Sequence, residues 1–291
     1  MDDFESYRPL LFAIAYRMLG SASDAEDIVH EAYLRYQSTP AGEIRTPKAY
    51  LSTIVTRLCL DELKSARAAR EEYIGPWLPE PLLTSTPSLT PLQTVEQRES
   101  ISMAFLVLLE RLTPQERAVF LLREVFEYRY REIAEIVGAN APDCRQLFHR
   151  AKERIAGEQP RFEASPEAHR RLVERFLAAC QRGDLQTLTE TLAHDVTAWS
   201  DSGGKVPAAR QPVRGRDAIM RFALGLMRKA YADARFTFEE VNGVPTLLTW
   251  SGDVLTTVIV CHVAGGQIQT AYAVLNPDKL AYIQRQLRDR V

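Results

Sequence analysis

The sequence predicts a multidomain chain of two all-helical units followed by an α+β domain. Three observations predict it. Apolar residues recur at helical spacing as far as Ile155, five prolines crowd the stretch between Gly75 and Pro91, and β-rich runs appear only from Val196 onward. A length of 291 residues leaves room for two or three domains. A hydrophobic share of 46% beside a charged share of 25% places the chain among soluble globular proteins with sizeable cores.

The first unit spans residues 1–72. Apolar spacing predicts a helix from Phe4 to Leu19, ended by Gly20, and Ser23 with Glu26 makes a capping box for the next. In that second helix Ala25, Ile28, Val29, Ala32 and Tyr36 share a face, and Asp24, Asp27, Glu31 and Arg35 point away from it. A third helix, from about Pro47 to Arg70, turns Tyr50, Leu51, Ile54, Val55, Leu58 and Leu63 inward and offers Arg57, Asp61 and Lys64 outward. Residues 73–93 read as an extended linker, because Pro76, Pro79, Pro81, Pro87 and Pro91 forbid regular structure. A passive spacer would not need its Trp77 and Leu78.

The second unit, residues 94–158, resumes helix at about Thr94, and Thr113 caps a helix opened by Pro114, Gln115 and Glu116. Two short helices follow. Ile133, Ala134, Ile136 and Val137 stripe the first, Gly138 supplies the turn, and Asn140 caps the second with Asp143 three residues on. Cys144, Leu147, Ala151 and Ile155 form its inner face, edged by Phe148. Pro142, Arg145, Gln146 and His149 lie opposite, flanked by Arg150 and Lys152. Arg and Gln pair bidentately with guanine and adenine edges, so this helix suits a DNA major groove; an ordinary helical hairpin with a solvated charged face is the alternative. The tail, residues 162–291, holds two helices within SPEAHRRLVERFLAACQRGDLQTLTETL. Strands at VTAWS, ARFTFEEV, TLLTWSG, VLTTVIVCHV and QIQTAYAVL are expected to form a bent antiparallel sheet. Asn276, Pro277 and Asp278 open a last helix with Leu280, Ile283 and Leu287 on one side.

A net charge of −2 carries no nucleic-acid signature for the whole chain, so charge is read by segment. Three Arg meet eight acids over residues 1–43, whereas six Lys or Arg meet two acids over residues 44–70. An acidic helix followed by a basic one suits two different partners. Cys59, Cys144, Cys180 and Cys261 are scattered without metal or disulfide spacing, as expected of reduced thiols, and no metal site or cofactor is expected. No apolar run reaches the length of a membrane span and the N-terminus lacks signal-peptide order, so the expected location is the cytoplasm, with no membrane partner.

In their order, the acidic helix DAEDIVHEAYLRY, the basic helix AYLSTIVTRLCLDELKSAR, the linker and LTPQERAVFLLREVFEYRYREIAEIVG with its following helix resemble an extracytoplasmic-function sigma factor over residues 1–157. The tail resembles the SnoaL-like, NTF2-like cone, a combination found in the SigJ-like sigma factors. Trp77-Leu78-Pro79-Glu80-Pro81, Asp201-Ser202-Gly203-Gly204-Lys205 and Asn276-Pro277-Asp278-Lys279-Leu280 strengthen the match; Ser202 stands where relatives usually carry Gly. The resemblance implies sigma region two, then region four, with core RNA polymerase and promoter DNA as partners. It places Asp24, Asp27, Glu31 and Arg35 at the polymerase and Thr56, Arg57, Asp61 and Lys64 at the melted minus-ten element, where many relatives carry Asn at the position of Arg57. Arg145, Gln146, His149, Arg150 and Lys152 would then read or grip the minus-thirty-five duplex.

No catalytic residue is expected. Asp195 reads as a cap or loop residue after a helix end and His262 as a satisfied sheet histidine; His194 and Asp201 are the other acid–base candidates weighed. The expected role of the tail is regulatory contact near the linker residues Trp77, Leu78 and Pro79: Trp77 as hydrophobic anchor, with Asp201–Lys205 and Asn276–Leu280, including Gly203, Gly204, Pro277, Asp278 and Lys279, as polar contacts holding the two DNA-reading domains in one arrangement. The alternative is an NTF2-like enzyme or sensor, with a small-molecule ligand in the cone and the helical part as a DNA tether.

Overall fold

The structure is a computed structural model that describes residues 2–40, 44, 46–85, 95–157 and 164–290. Pro87, Pro91 and Thr94 lie outside the described residues. The chain forms two compact units, the first from within 1–72, 86–101 and 105–159, the second from within 73–85, 102–104 and 160–291. The residues expected to form an extended linker therefore belong, as far as Ser85, with the tail.

In the first unit α1 (Asp2–Leu19), α2 (Ala22–Ser38) and α3 (Pro47–Glu71) pack through Leu11, Phe12, Ala15 and Tyr16 against Ala25, Val29 and Ala32 and against Leu51, Val55 and Cys59, all fully or nearly fully buried. The cap of α2 is Ser21, not Ser23: Ser21 is extended and its side chain accepts the Asp24 N–H at 3.2 Å. Helix resumes directly after Gly20, whose φ of +68° turns the chain, so Ser23 already sits in the first turn.

The helical stretch expected from about Thr94 consists of two helices, α4 (Val95–Glu99) and α5 (Met103–Leu109), with an unexpected break at Ser100. Its hydroxyl bonds the Gln97 carbonyl at 2.8 Å, and buried Arg17 of α1 donates to the Ser100 carbonyl at 3.1 Å, claiming an acceptor the helix would need. Then α6 (Pro114–Glu124) opens with a full Thr113–Glu116 capping box. Next, α7 (Tyr130–Val137) ends at Gly138 with φ +72°, and α8 (Ala141–Arg154) is capped by Asn140, which accepts the Asp143 N–H at 2.8 Å.

The second unit runs α9 (Pro166–Arg182), α10 (Leu185–Thr191), β1 (Leu192–Asp201), β2 (Val213–Arg214), α11 (Arg216–Lys229), β3 (Arg235–Val241), β4 (Val244–Ser251), β5 (Val254–Ala264), β6 (Gln267–Val274) and α12 (Pro277–Arg288). The sheet order is β2-β1-β6-β5-β4-β3. It is mixed rather than antiparallel throughout, because β1 joins β6 in parallel. Val173 and Leu177 of α9 and Ile219 of α11 close a core over Val196, Leu247, Cys261 and Val263. α11 was not expected from the sequence, although Ile219, Ala223 and Leu226 carry helical spacing.

Residues 73–85 lie in the second unit as a strap along its surface. Leu83 bridges Val241 at the end of edge strand β3, the Thr84 N–H donates to the Glu240 carbonyl at 2.9 Å, and the Asn242 N–H donates to the Leu82 carbonyl at 2.9 Å. Leu78, Leu82 and Leu83 are at most 1% exposed. Burying three leucines is worth several kcal/mol, on the order of 2 each, so the strap is part of this unit's core rather than a tether.

Candidate nucleic-acid interface

On α8 the buried side is Cys144, Ala151 and Ile155, with Leu147 and Phe148 half-buried at its edge. Phe148 stacks on Phe120 of α6 with ring centroids 6.0 Å apart, which fixes the rotation of the helix. Arg145, Gln146, His149, Arg150 and Lys152 are consequently all exposed on the other side. Arg145 lies 5.5 Å over the Tyr130 ring, His149 is 3.2 Å from Glu153, and Lys152 is 3.2 Å from Glu124. Exposed pairs of this kind are worth little and yield readily to phosphate. The Asn140 cap leaves the N-terminal turns of α8 clear and positively polarised, the end a recognition helix directs at base edges.

On α2 Asp24 and Asp27 are exposed and Glu31 is half-buried, held to Arg35 at 2.8 Å. Leu34 stands beside them, 46% exposed, an apolar centre in a charged face.

The expected minus-ten residues of α3 separate. Asp61 and Lys64 are exposed and 2.9 Å apart, whereas Thr56 is fully buried with its hydroxyl unpartnered. Helical spacing turns it to the Leu51–Val55–Cys59 side, so Thr56 does not face nucleic acid in this arrangement. Arg57 spans to α7, donating from Nε to the Ile136 carbonyl and from Nη2 to the Glu135 carbonyl, each at 3.1 Å. Arg57, Asp61 and Lys64 line a groove of about 710 Å³ with Thr113, Pro114, Gln115 and Val137.

In the second unit the three short motifs converge on Asp201, which is fully buried at the end of β1. Its carboxylate accepts the Leu78 N–H at 2.7 Å, the Tyr73 hydroxyl at 2.5 Å, the Gly203 N–H at 3.2 Å and Lys279 Nζ at 2.7 Å. Lys279 also donates to the Leu78 carbonyl at 2.5 Å and sits 4.1 Å over the Trp77 ring and 5.0 Å over Tyr73. Burial, reinforced by the hydrogen bond to Asp201, holds the Tyr73 hydroxyl protonated well above the usual tyrosine range.

Asn276 caps α12 and donates to Tyr73 at 3.0 Å, while Lys205 pairs with Asp278. The ionic partner of Asp201 is thus Lys279 of α12. The apolar anchors are Leu78, Leu82 and Leu83, and half-buried Trp77 contributes its ring face to a cation. Sequence reasoning missed Tyr73 and Asn242; Asn242-Gly243 was legible as a hairpin turn, but nothing signalled that Asn242 also receives the Leu82 N–H at 3.2 Å.

His194 and Asp195 lie exposed on β1 rather than at a helix end, and His262 is half-buried on β5. His169 of α9 is 5% exposed with Nε2 unpartnered, and burial, with His262 nearby, pushes its pKa down to about 4. No group of metal-ligating side chains occurs among the described residues, and none of their helices is long and apolar enough to cross a membrane.

Comparison with known proteins matches three segments of the chain to families. The Sigma-70 region 2 family matches residues 4–69, the Sigma-70 region 4 family residues 102–155, and the SnoaL-like domain family residues 173–274. The chain is 42% identical over 230 residues to the ECF RNA polymerase sigma factor SigJ of Mycobacterium tuberculosis, covering 79% of this chain and 73% of that protein. It is 32% identical to the probable ECF RNA polymerase sigma factor SigI of the same organism, over 98% of this chain and 96% of that one. The crystal structure of the M. tuberculosis SigJ superposes with a TM-score of 0.77 at 36% identity, covering 96% and 97% of the two chains.

Proposed function

Because this chain belongs to the extracytoplasmic-function RNA polymerase sigma factors, we propose that it binds core RNA polymerase, directs initiation at a two-part promoter and carries a SnoaL-like tail that regulates it without catalysing a reaction. The observation that carries the reading is α8, a capped helix whose five cationic or hydrogen-bonding side chains are all exposed on one side of a rigid helix-turn-helix. The acidic face of α2, with Asp24, Asp27, Glu31 and Leu34, is the surface offered to polymerase. Arg57, Asp61 and Lys64 of α3 serve the melted minus-ten strand, and cytoplasmic residence follows from that partner. Regulation runs through the strap, since Asp201, Lys279 and Asn276 grip the segment that joins regions two and four.

The test is transcription in vitro from a pool of promoters with bacterial core polymerase and the full chain. Specific initiation that Arg145→Ala and Gln146→Ala each redistribute among promoters supports the assignment; absence of core binding and of transcripts overturns it.

A further inference from the structure

We propose that Arg57 is a latch: it ties region two to region four in the free chain and exchanges that partner for nucleic acid when the promoter is engaged. The inference rests on the sigma reading above. Its physical basis is the end of α7. The N–H groups of Gly138 and Ala139 both bond the Ala134 carbonyl, and the next two carbonyls, of Glu135 and Ile136, are taken by the Arg57 guanidinium. Those oxygens carry the negative end of the helix dipole, so a side chain suited to phosphate finds a substitute anion in its own chain.

A second tie lies one turn and a half back along α3, where the Ser52 hydroxyl meets the Tyr128 hydroxyl at 2.8 Å, both buried, with Lys48 5.6 Å over the Tyr128 ring. Beside the Arg57 tie and the start of α6 runs the groove lined by Asp61, Lys64, Pro114 and Gln115, so the exposed Asp61 and Lys64 border region four.

Scale shows why this state must open. Elements named for positions ten and thirty-five lie about 25 base pairs apart, roughly 85 Å of B-form duplex. Side chains in hydrogen-bond contact cannot serve both at once. An Arg in place of the Asn of many relatives supplies a guanidinium long enough to reach across, and the residue that binds the promoter is the one that promoter binding frees.

The experiment is a distance measurement on the full chain with spin labels on cysteines introduced at Glu62 and Arg131, both exposed; the four native cysteines are buried, so labelling is selective. Free wild-type protein should give one short distance. Arg57→Ala and Tyr128→Phe should each raise the ratio of open to closed chains by roughly tenfold, as expected for loss of hydrogen bonds, one set of them charged. Tyr128→Phe lies off the nucleic-acid face and should also bind core polymerase more tightly than wild type. A short distance unmoved by both variants, or a long distance in the free wild type, overturns the latch. The distances need no polymerase, so their outcome is separate from that of the transcription assay.

Discussion

Asp201 concentrates the chemistry of the second unit into one side chain. A carboxylate with no exposure is tolerated because Lys279, two backbone N–H groups and the Tyr73 hydroxyl satisfy it. Asp201→Asn keeps the shape and leaves Lys279 buried without its counter-ion, and breaking such a pair costs about 3–5 kcal/mol. All three tryptophans, Trp77, Trp199 and Trp250, lie in this unit, so urea unfolding followed by tryptophan fluorescence reads the loss directly.

The adjoining glycines separate by the same logic. A Cβ at Gly203, φ +56°, would stand 2.6 Å from Asn276 Nδ2 and 3.0 Å from the Tyr73 hydroxyl, both held in the network, whereas one at Gly204, φ +74°, would meet only half-exposed Ile74, at 2.9 Å from its Cδ1 and 3.1 Å from its Cβ. Gly204→Ala should cost about 1–2 kcal/mol from its backbone alone, and Gly203→Ala should lower the same unfolding midpoint further. Ser202 accounts for its own departure from the family pattern, since its side chain accepts the Gly204 N–H at 3.3 Å.

His169 sets a pH dependence. Its folded-state pKa lies below the ordinary 6.5, so the unfolded chain binds the extra proton. Stability of this unit is full above about pH 6.5 and falls as pH drops toward 4, by roughly 3 kcal/mol at most. Urea midpoints at pH 7 and pH 4.5 should converge in His169→Phe; an unchanged gap would assign the acid sensitivity to other groups.

Elements were legible where local chemistry decides them. Thr113, Asn140 and Asn276 cap the helices they were expected to cap because each signal lies within three residues of its effect. The Ser100 break was not legible, since its cause, Arg17, is 83 residues away. β-rich composition likewise marked the strands but not which strand lies alongside which, so the parallel β1–β6 pairing stayed hidden. Of the candidate site, the α8 face followed from periodicity alone, whereas Thr56 rested on family correspondence alone, which carries no information on helical phase, and it is buried on α3. The two kinds of contact on α8 separate in a binding assay on a minus-thirty-five duplex. Gln146→Ala should cost about 1–3 kcal/mol on the preferred sequence and relax discrimination at one base pair, while Arg150→Ala should weaken all sequences alike and reduce the slope of log K against log salt by about 0.9.

At the scale of the whole molecule the strap decides what a truncation means. Cutting after Gln159, which lies outside the described residues, removes α9 to α12 and the sheet but leaves residues 73–85 behind. Leu78, Leu82 and Leu83 then lose their cover, and the Asp201 and Lys279 contacts to the Leu78 backbone vanish with it. The shortened chain is thus not a sigma pair freed from control but one bearing a new apolar segment, and such exposure favours self-association. It should bind a hydrophobic dye and elute as larger species than its mass requires. Replacing the three leucines by serine in the shortened chain should abolish both effects without touching any promoter or polymerase surface named above. If the shortened chain transcribes less than the full chain and recovers on that replacement, the loss came from the exposed strap; if it transcribes less and does not recover, the tail itself contributes to initiation as an activator.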